Sequence, residues 1–567
     1  MIWAIQNVAR YRAETDAVTA LDVDNEWFSL HQWRFDDAFR LCADGDITVQ
    51  GRNYPVTLCY SQNFPFSPPS VIPQVEEQWS SHQYIGGELC LEYRSDNWVQ
   101  SITGANMLES AHRLLLGEAY VPATEARGVV SDQHAVTLGQ KLRYKKTRFF
   151  YTTAFEDALH TLPRLAKAKF TDIGGKSEWR VYLNELLDGE TSLWKDPSIP
   201  EVLSANSFTF SGSLVRLDQD IKICVEDITS FLDQVAPELL QRSVEKLTSL
   251  ELVLVCTPSS KRLFRLMHEK NSVFEFGSVP PTPGTRLAEN FINLATKKVA
   301  VIGCGSVGTK VATMLARSGV GHFVLVDDDI FAPENVVRND LDWRSVGDHK
   351  VDALKHRIDL VNAKATVDVR RQKLGGQEAG STADGTLSAL GGCDLIIDTS
   401  ANGKAFNYAS SVAVSKDKPV IWAEVFGGGF GGLIARSRPK LDPEPQLARA
   451  QILQWCADQG VNTPTAPKDY SIQNGETVFV ADDADISVIA AHLARYGIDL
   501  LLERSPSIFP CSAYFIGLAP QWLFSQPFDV YPIELHTPAA SAEKPPVAAH
   551  EDQQAFSTLL ALLENKK

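Results

Sequence analysis

Between residues 286 and 540 the chain alternates short apolar runs with amphipathic stretches. VAVI, HFVLV and CDLIID read as strands and TKVATMLARSG as a helix, a rhythm that predicts a doubly wound, mostly parallel sheet. From 146 to 285 the pattern is less regular. EDALHTLPRLAKAKF reads as helical and SFTFSGSLVRL, IKICVEDI and LELVLVC as strands, giving a middle α/β linking domain without recognisable chemistry. Residues 1–145 hold short apolar runs, a Pro-rich crossing and a helical end over LESAHRLLLGEAYVPATEARGVVSDQHAVTLGQKL. The cluster GSVPPTPGT marks the boundary before 286, because clustered Pro and Gly interrupt regular structure. Towards the end, HTPAASAEKPPVAAH reads as a linker and FSTLLALLENKK as a short amphipathic helix, with 541–567 taken as the linker-and-helix segment. A multidomain α/β and α+β protein is expected, with segments 1–145, 146–285, 286–540 and 541–567.

Composition narrows the class. A length of 567 residues exceeds one compact domain at about 150 residues each. Hydrophobic residues at 44% and charged residues at 22% exclude collagen-like and disordered classes. The net charge of -16 argues against a nucleic-acid partner or an anionic membrane surface. No apolar run reaches the roughly 20 residues that span a bilayer. The opening MIWAIQNVARYRAETDAV has no basic segment followed by an apolar core, so a cytoplasmic protein is expected. Nine cysteines form no C-x-x-C pair, which disfavours a zinc site or a disulfide framework and leaves reduced thiols.

The densest chemistry is KKVAVIGCGSVGTKVATMLARSGVGHFVLVDDDIF. A strand runs into Gly303, Gly305 and Gly308, a helix follows, and a second strand ends at Asp327. Glycines let the backbone approach a phosphate at the helix N-terminus, and a carboxylate at Asp327 can accept ribose hydroxyls. A nicotinamide site would use the same arrangement. Downstream, however, Asn335, Arg338 and Lys350 supply polar and cationic groups, and Asp398 ends CDLIID. That set suits a triphosphate with Mg²⁺, whose charge must be neutralised during nucleotidyl transfer.

These elements resemble the adenylation domain shared by ubiquitin-activating enzymes and the bacterial ThiF and MoeB proteins. The glycine loop, D-x-D at Asp327 and Asp329, N-x-x-R at Asn335 and Arg338, G-x-x-K at Gly347 and Lys350, and D-x-x-x-N at Asp398 and Asn402 occur in the family's order. The resemblance implies a Rossmann-like ThiF-type domain. In it Asp327 holds ribose, Asn335, Arg338 and Lys350 bind ATP phosphates, Asp398 helps place Mg²⁺, and Asp329 belongs to the nucleotide site. Ala401 stands where the family often has a second aspartate, and Arg286 is a candidate for reaching ATP across a dimer.

Relatives that pass the acyl group onward need a thiol. Cys456, in QLARAQILQWCADQG, reads as a buried structural residue. Cys511, after a Pro-containing loop, is expected to begin a helix whose N-terminus favours thiolate, which makes it the preferred nucleophile. Cys304 and Cys393 read as packing residues. Cys90 follows a glycine pair, with His82, Asp96 and Asn97 close in sequence, and could accept and donate an acyl group.

Phe64, Pro65, Pro68, Pro69, Cys90 and Trp98 fall in an order similar to the ubiquitin-conjugating fold, though the H-P-N tripeptide is missing and His82 lies near its position. This implies an N-terminal ubiquitin-conjugating-like α+β domain over 1–145. A conjugating domain ahead of an activating domain resembles the fused ubiquitin-transfer enzymes of bacterial CBASS antiphage operons. The resemblance implies ATP and Mg²⁺, a relay from Cys511 to Cys90, the C-terminus of a cGAS-like nucleotidyltransferase (CD-NTase) as cargo, an unidentified amine acceptor and a homodimer. Two other readings stand beside it: a ThiF-like activator with no relay, and a NAD-binding Rossmann oxidoreductase or scaffold.

Overall fold

The computed structural model describes residues 2–119, 137–240, 251–464, 471–537 and 554–560, apart from 85, 175–177, 206, 224, 226, 283, 285, 475 and 476. The expected linker lies outside them from Pro538 onward, as do all the residues between the helix ending at Ala119 and Thr137. Residues 554–560 are helical and exposed. The chain forms two compact units, Met1–Tyr144 and Lys145–Lys567.

The first unit is a four-stranded antiparallel meander, Phe28–Phe35, Leu41–Val49, Arg52–Cys59 and Ser70–Pro73, with helices Val8–Asp24 and Gly104–Ala119. Gln50 and Gly51 both have positive φ (49° and 80°), the backbone that a tight two-residue hairpin requires. Val18, Leu21, Ile47, Val56, Leu58, Val71, Leu108 and Leu115 fill one core. Glu14, fully buried, is held by Tyr60 Oη at 2.8 Å, the Gly104 N–H at 2.7 Å and Arg10 at 2.8 Å. A Cβ at Gly104 would sit 2.0 Å from Tyr60 Oη, so only glycine lets that helix start close enough to donate.

The second unit contains two large sheets. The first is nine-stranded and mixed, its main path running from Ser272–Glu275 to Gly277–Val279, with Thr191–Lys195 off the path. Here two expectations fail. EDALHTLPRLAKAKF is a helix only over Thr153–Leu159; beyond Pro163, Leu165–Asp172 is a strand, because Ala166, Ala168 and Phe170 alternate inward against outward lysines. IKICVEDI holds no strand among its described residues; its Asp227 instead caps helix Ile228–Val235 by accepting from the Ser230 N–H (3.0 Å).

The second sheet has eight strands. Thr366–Arg370, His322–Val326, Lys298–Ile302, Leu395–Asp398 and Val420–Val425 run parallel, and Gly431–Ser437, Ala513–Gly517 and Val530–Ile533 add antiparallel. Alternation covers both faces. Val299, Val301, Leu395 and Ile397 pack with helices Ser306–Arg317, Lys350–Val361 and Asp483–Leu501, whereas Ala300, Ile302 and Ile396 pack with Gly403–Lys416 and Pro445–Asp458. This bears out the doubly wound expectation. The chain winds outward from Lys298–Ile302 to one side and returns to Leu395–Asp398 on the other. The crevice at the carboxyl ends of these two strands is the switch point where such sheets bind ligands.

Candidate functional site at the sheet switch point

A cavity of about 290 Å³ opens at that crevice, lined among others by Gly303, Gly305, Asp327, Asp329, Asn335, Arg338 and Lys350. Segments far apart in sequence converge there because each leaves the sheet at a carboxyl end. Gly303 has φ +85°, and a Cβ on it would lie 2.6 Å from Ser400 Cα, so the turn and the neighbouring strand end require glycine. Gly305 has open space where a Cβ would stand, and no side chain caps helix Ser306–Arg317 behind it. The first-turn N–H groups therefore face an anion-sized opening with the positive end of the helix dipole behind them. Gly308 behaves differently from its expected role in nucleotide contact. Its Cβ would meet the Gly303 carbonyl oxygen at 2.0 Å and Thr399 Oγ1 at 2.7 Å, so it is a packing glycine absent from the cavity wall.

Asp327 follows the second strand and accepts from the Cys304 N–H (2.7 Å) and the Asp329 N–H (2.8 Å). Burial pushes its carboxyl above the usual range, against those bonds and Lys350. Lys350 opens its helix, and its Nζ pairs with Asp329 Oδ2 at 2.9 Å. Asn335 Oδ1 accepts from the Ala332 N–H (3.0 Å), which fixes the start of the 3-10 helix Pro333–Arg338 and leaves its amide nitrogen as the donor. Arg338 ends that helix in the cavity wall. Lys373 and Gln372 also line it and were missed, since no spacing motif marks them; Thr399 and Ser400, the inner positions of D-x-x-x-N, line it too. Lys373 Nζ lies 3.9 Å from Asp328.

Asp398 ends its strand as expected but lines a neighbouring cavity of about 280 Å³, with Trp422, Glu424 and Arg449, that shares Ala401 and Asn402 with the first. Its Oδ1 accepts from the Ser400 N–H (2.9 Å) and Oγ (2.6 Å), while burial raises the carboxyl to about 6. A buried carboxylate offers the hard oxygen that a divalent cation takes, and Arg449 in the same wall only partly offsets the cost of its burial. Ala401, at φ +49°, contributes no ligand. Arg286 is exposed.

Cys511 does not begin a helix. It precedes strand Ala513–Gly517, because Pro510 ends the loop and AYFIG pairs with Gly431–Ser437 through alternating side chains. The thiol is partly exposed; the Cys511 N–H donates to Tyr514 Oη (3.0 Å) and its carbonyl accepts from Tyr496 Oη (2.9 Å). The loop before it is clamped from within. Fully buried Arg436 donates to Ser507 Oγ (2.9 Å), the Phe509 carbonyl (2.7 Å) and Ser512 Oγ (3.3 Å). Cys456, Cys304 and Cys393 are buried, as expected of packing residues.

In the N-terminal unit Cys90 is 7% exposed. Its N–H donates to the His82 carbonyl (2.6 Å) and its Sγ accepts from Tyr84 Oη (3.5 Å). Asp96 and Asn97 do not serve Cys90 in these bonds: Asp96 pairs with Arg94 (3.4 Å), and Asn97 closes its own loop on Glu92 and Arg94. Trp98 donates to the Pro65 carbonyl (2.9 Å) and packs against the core.

Residues 288–468 match the ThiF family. The uncharacterized protein y4oA of Sinorhizobium fredii is 30% identical over 26% of each chain. The ATP-dependent ubiquitin transferase-like protein Cap2 of Vibrio cholerae is 40% identical over 12% of each. Among solved structures, Escherichia coli MccB with ATP aligns with 17% identity and a TM-score of 0.34, covering 45% of this chain and 69% of that one. The chain spans about a quarter of the length of the first of these curated relatives.

Proposed function

With residues 288–468 a ThiF-family domain, we propose that the chain is an ATP-dependent enzyme that adenylates the C-terminal carboxylate of a protein and conjugates it to an amine. The observation that carries the reading is the convergence of a glycine turn, an uncapped helix N-terminus, Asn335, Arg338 and Lys350 on one cavity at the sheet switch point. Hydride transfer itself needs no such set of phosphate donors.

In this reading Asp327 accepts the ribose hydroxyls, and Asn335, Arg338 and Lys350 donate to the phosphates. Asp398 would hold Mg²⁺, which supplies charge neutralisation at the phosphates when bound. The cargo carboxylate attacks the α-phosphorus and pyrophosphate leaves, giving acyl-AMP. The cationic groups stabilise the charge that develops, an effect worth about 10²–10³-fold per donor.

Cys511 thiolate then attacks the acyl carbon and releases AMP. Cys90 takes the acyl group by thiol exchange, and an amine attacks last. Residence in one chain raises the effective concentration of each thiol for the other. The Cap2 relatives, named ATP-dependent ubiquitin transferase-like proteins, favour a CBASS setting; the C-terminus of a cGAS-like nucleotidyltransferase as cargo and a ubiquitin-conjugating-like role for residues 1–145 enter from the sequence resemblance alone. A homodimer and a cytoplasmic location remain part of the same proposal.

Incubation with ATP, Mg²⁺ and the candidate cargo should give a thiol-sensitive adduct on the enzyme. Full conjugation by both Cys90→Ala and Cys511→Ala would falsify the relay. A second reading, adenylation with no relay, draws on the burial of Cys90. Pyrophosphate exchange in the absence of any thioester would favour it.

A further inference from the structure

Outside these sites, the sheet of the N-terminal unit holds a thiol pair. Cys42 and Cys59 lie directly opposite on the antiparallel strands Leu41–Val49 and Arg52–Cys59. The adjacent pair carries a ladder hydrogen bond, Tyr60 N–H to Leu41 carbonyl (2.9 Å), so Cys42 and Cys59 occupy a non-hydrogen-bonded position, where facing Cα atoms approach to about 4.5 Å. That separation falls within the range a disulfide spans. The Cys42 thiol donates to Cys59 Sγ at 3.4 Å and lies 3.6 Å from the Arg40 carbonyl oxygen.

The surroundings favour a thiolate over a metal. Arg34 and Arg40 flank the pair, and the hydrogen bond from Cys42, helped by Arg40, holds the Cys59 thiol below its usual range. Asp36 is close enough to complete a three-ligand cluster, but its Oδ1 accepts from the Ala38 and Arg40 N–H groups and its Oδ2 from Arg40 Nε (2.7 Å). A cation there would displace one arginine while facing another.

We propose that Cys42 and Cys59 are a redox modification site that hydrogen peroxide closes to a disulfide. Cys59 thiolate attacks the peroxide oxygen, the O–O bond breaks, and a sulfenic acid and hydroxide form, the latter taking up a proton as water. Cys42 sulfur then attacks Cys59 sulfur, the S–O bond breaks and a second water leaves. Two thiols are oxidised and one peroxide is reduced. The sulfurs close from 3.4 Å to about 2.05 Å, a movement that side-chain rotation within the pair supplies.

Cys42 and Cys59 are buried, so the test treats the reduced full chain with hydrogen peroxide, blocks free thiols with an alkylating agent in denaturant and maps peptides without reduction. Expected is one linked peptide pair containing Cys42 and Cys59, lighter by two hydrogens and separated by dithiothreitol. It should persist in Cys90→Ser and Cys511→Ser and vanish in Cys42→Ser and Cys59→Ser. The wild-type map decides the matter even if a variant fails to fold. Recovery of both residues as alkylated thiols at peroxide doses that oxidise Cys511 overturns the proposal. So does a Cys59 sulfinic acid with no link, or zinc retained by the reduced chain with both thiols protected.

Discussion

Arg436 Nη1 stands 3.5 Å from Asp499 Oδ2, with both side chains removed from solvent. Asp499 also accepts from Ser507 Oγ (2.6 Å) and the Ile508 N–H (3.2 Å), so this one pair ties a sheet strand, a helix and the loop leading to Cys511. Burial lowers the Arg436 pKa, the sign of a cation that relies on its partners. Asp499→Ala strands that charge, and a loss of about 3–5 kcal/mol is expected in denaturant unfolding. Faster alkylation of Cys511 should accompany it, because the loop loses its clamp.

Lys350 meets Asp329 before any phosphate arrives. Lys350→Ala should lower ATP–pyrophosphate exchange by about 10²–10³-fold, since the lost donor acts where charge develops. The far-ultraviolet circular dichroism should stay unchanged. Exchange at the wild-type rate would remove Lys350 from the chemistry.

Two glycines of the turn, Gly305 and Gly308, separate in a single experiment. Gly308→Ala drives a Cβ into the Gly303 carbonyl, and a destabilisation of about 1–3 kcal/mol is expected from overpacking. Gly305→Ala meets nothing, so the melting temperature should hold while ATP affinity falls as the methyl fills the opening. Thermal melts read with and without ATP distinguish the two.

Buried thiols give a pH test. Burial lifts Cys393 to about 11 and Cys256 to about 12, from an ordinary 9.0. Each folded thiol keeps its proton longer than the unfolded one. Stability present below pH 9 is therefore lost as pH climbs toward those values. Iodoacetamide at pH 8 should modify partly exposed Cys511 and leave Cys256 and Cys393 intact until denaturant is added. Labelling of Cys393 in the folded protein would contradict its burial.

Local pattern carried much of this protein. Alternating apolar runs announced the doubly wound sheet, and the glycine turn announced the helix N-terminus at its centre. Both arise from short-range physics, a period of two in strands and the steric freedom of glycine. The same reasoning failed at Cys511, where a proline and an aromatic run led to a strand. It failed at Leu165–Asp172 as well, where lysines spaced among alanines resembled a helix until the sheet buried one side.

The sequence by itself determined the strand–helix alternation of the doubly wound sheet, the glycine turn at its centre and the stock of thiols. Only the tertiary structure decided which residues meet. Strand order brought Gly303 beside Ser400, Arg436 beneath the Cys511 loop and Cys42 opposite Cys59, and it moved Asp398 into the neighbouring cavity. The reason is that pairing register and crossover direction are set by burial summed over whole faces, so no spacing within one segment reports them.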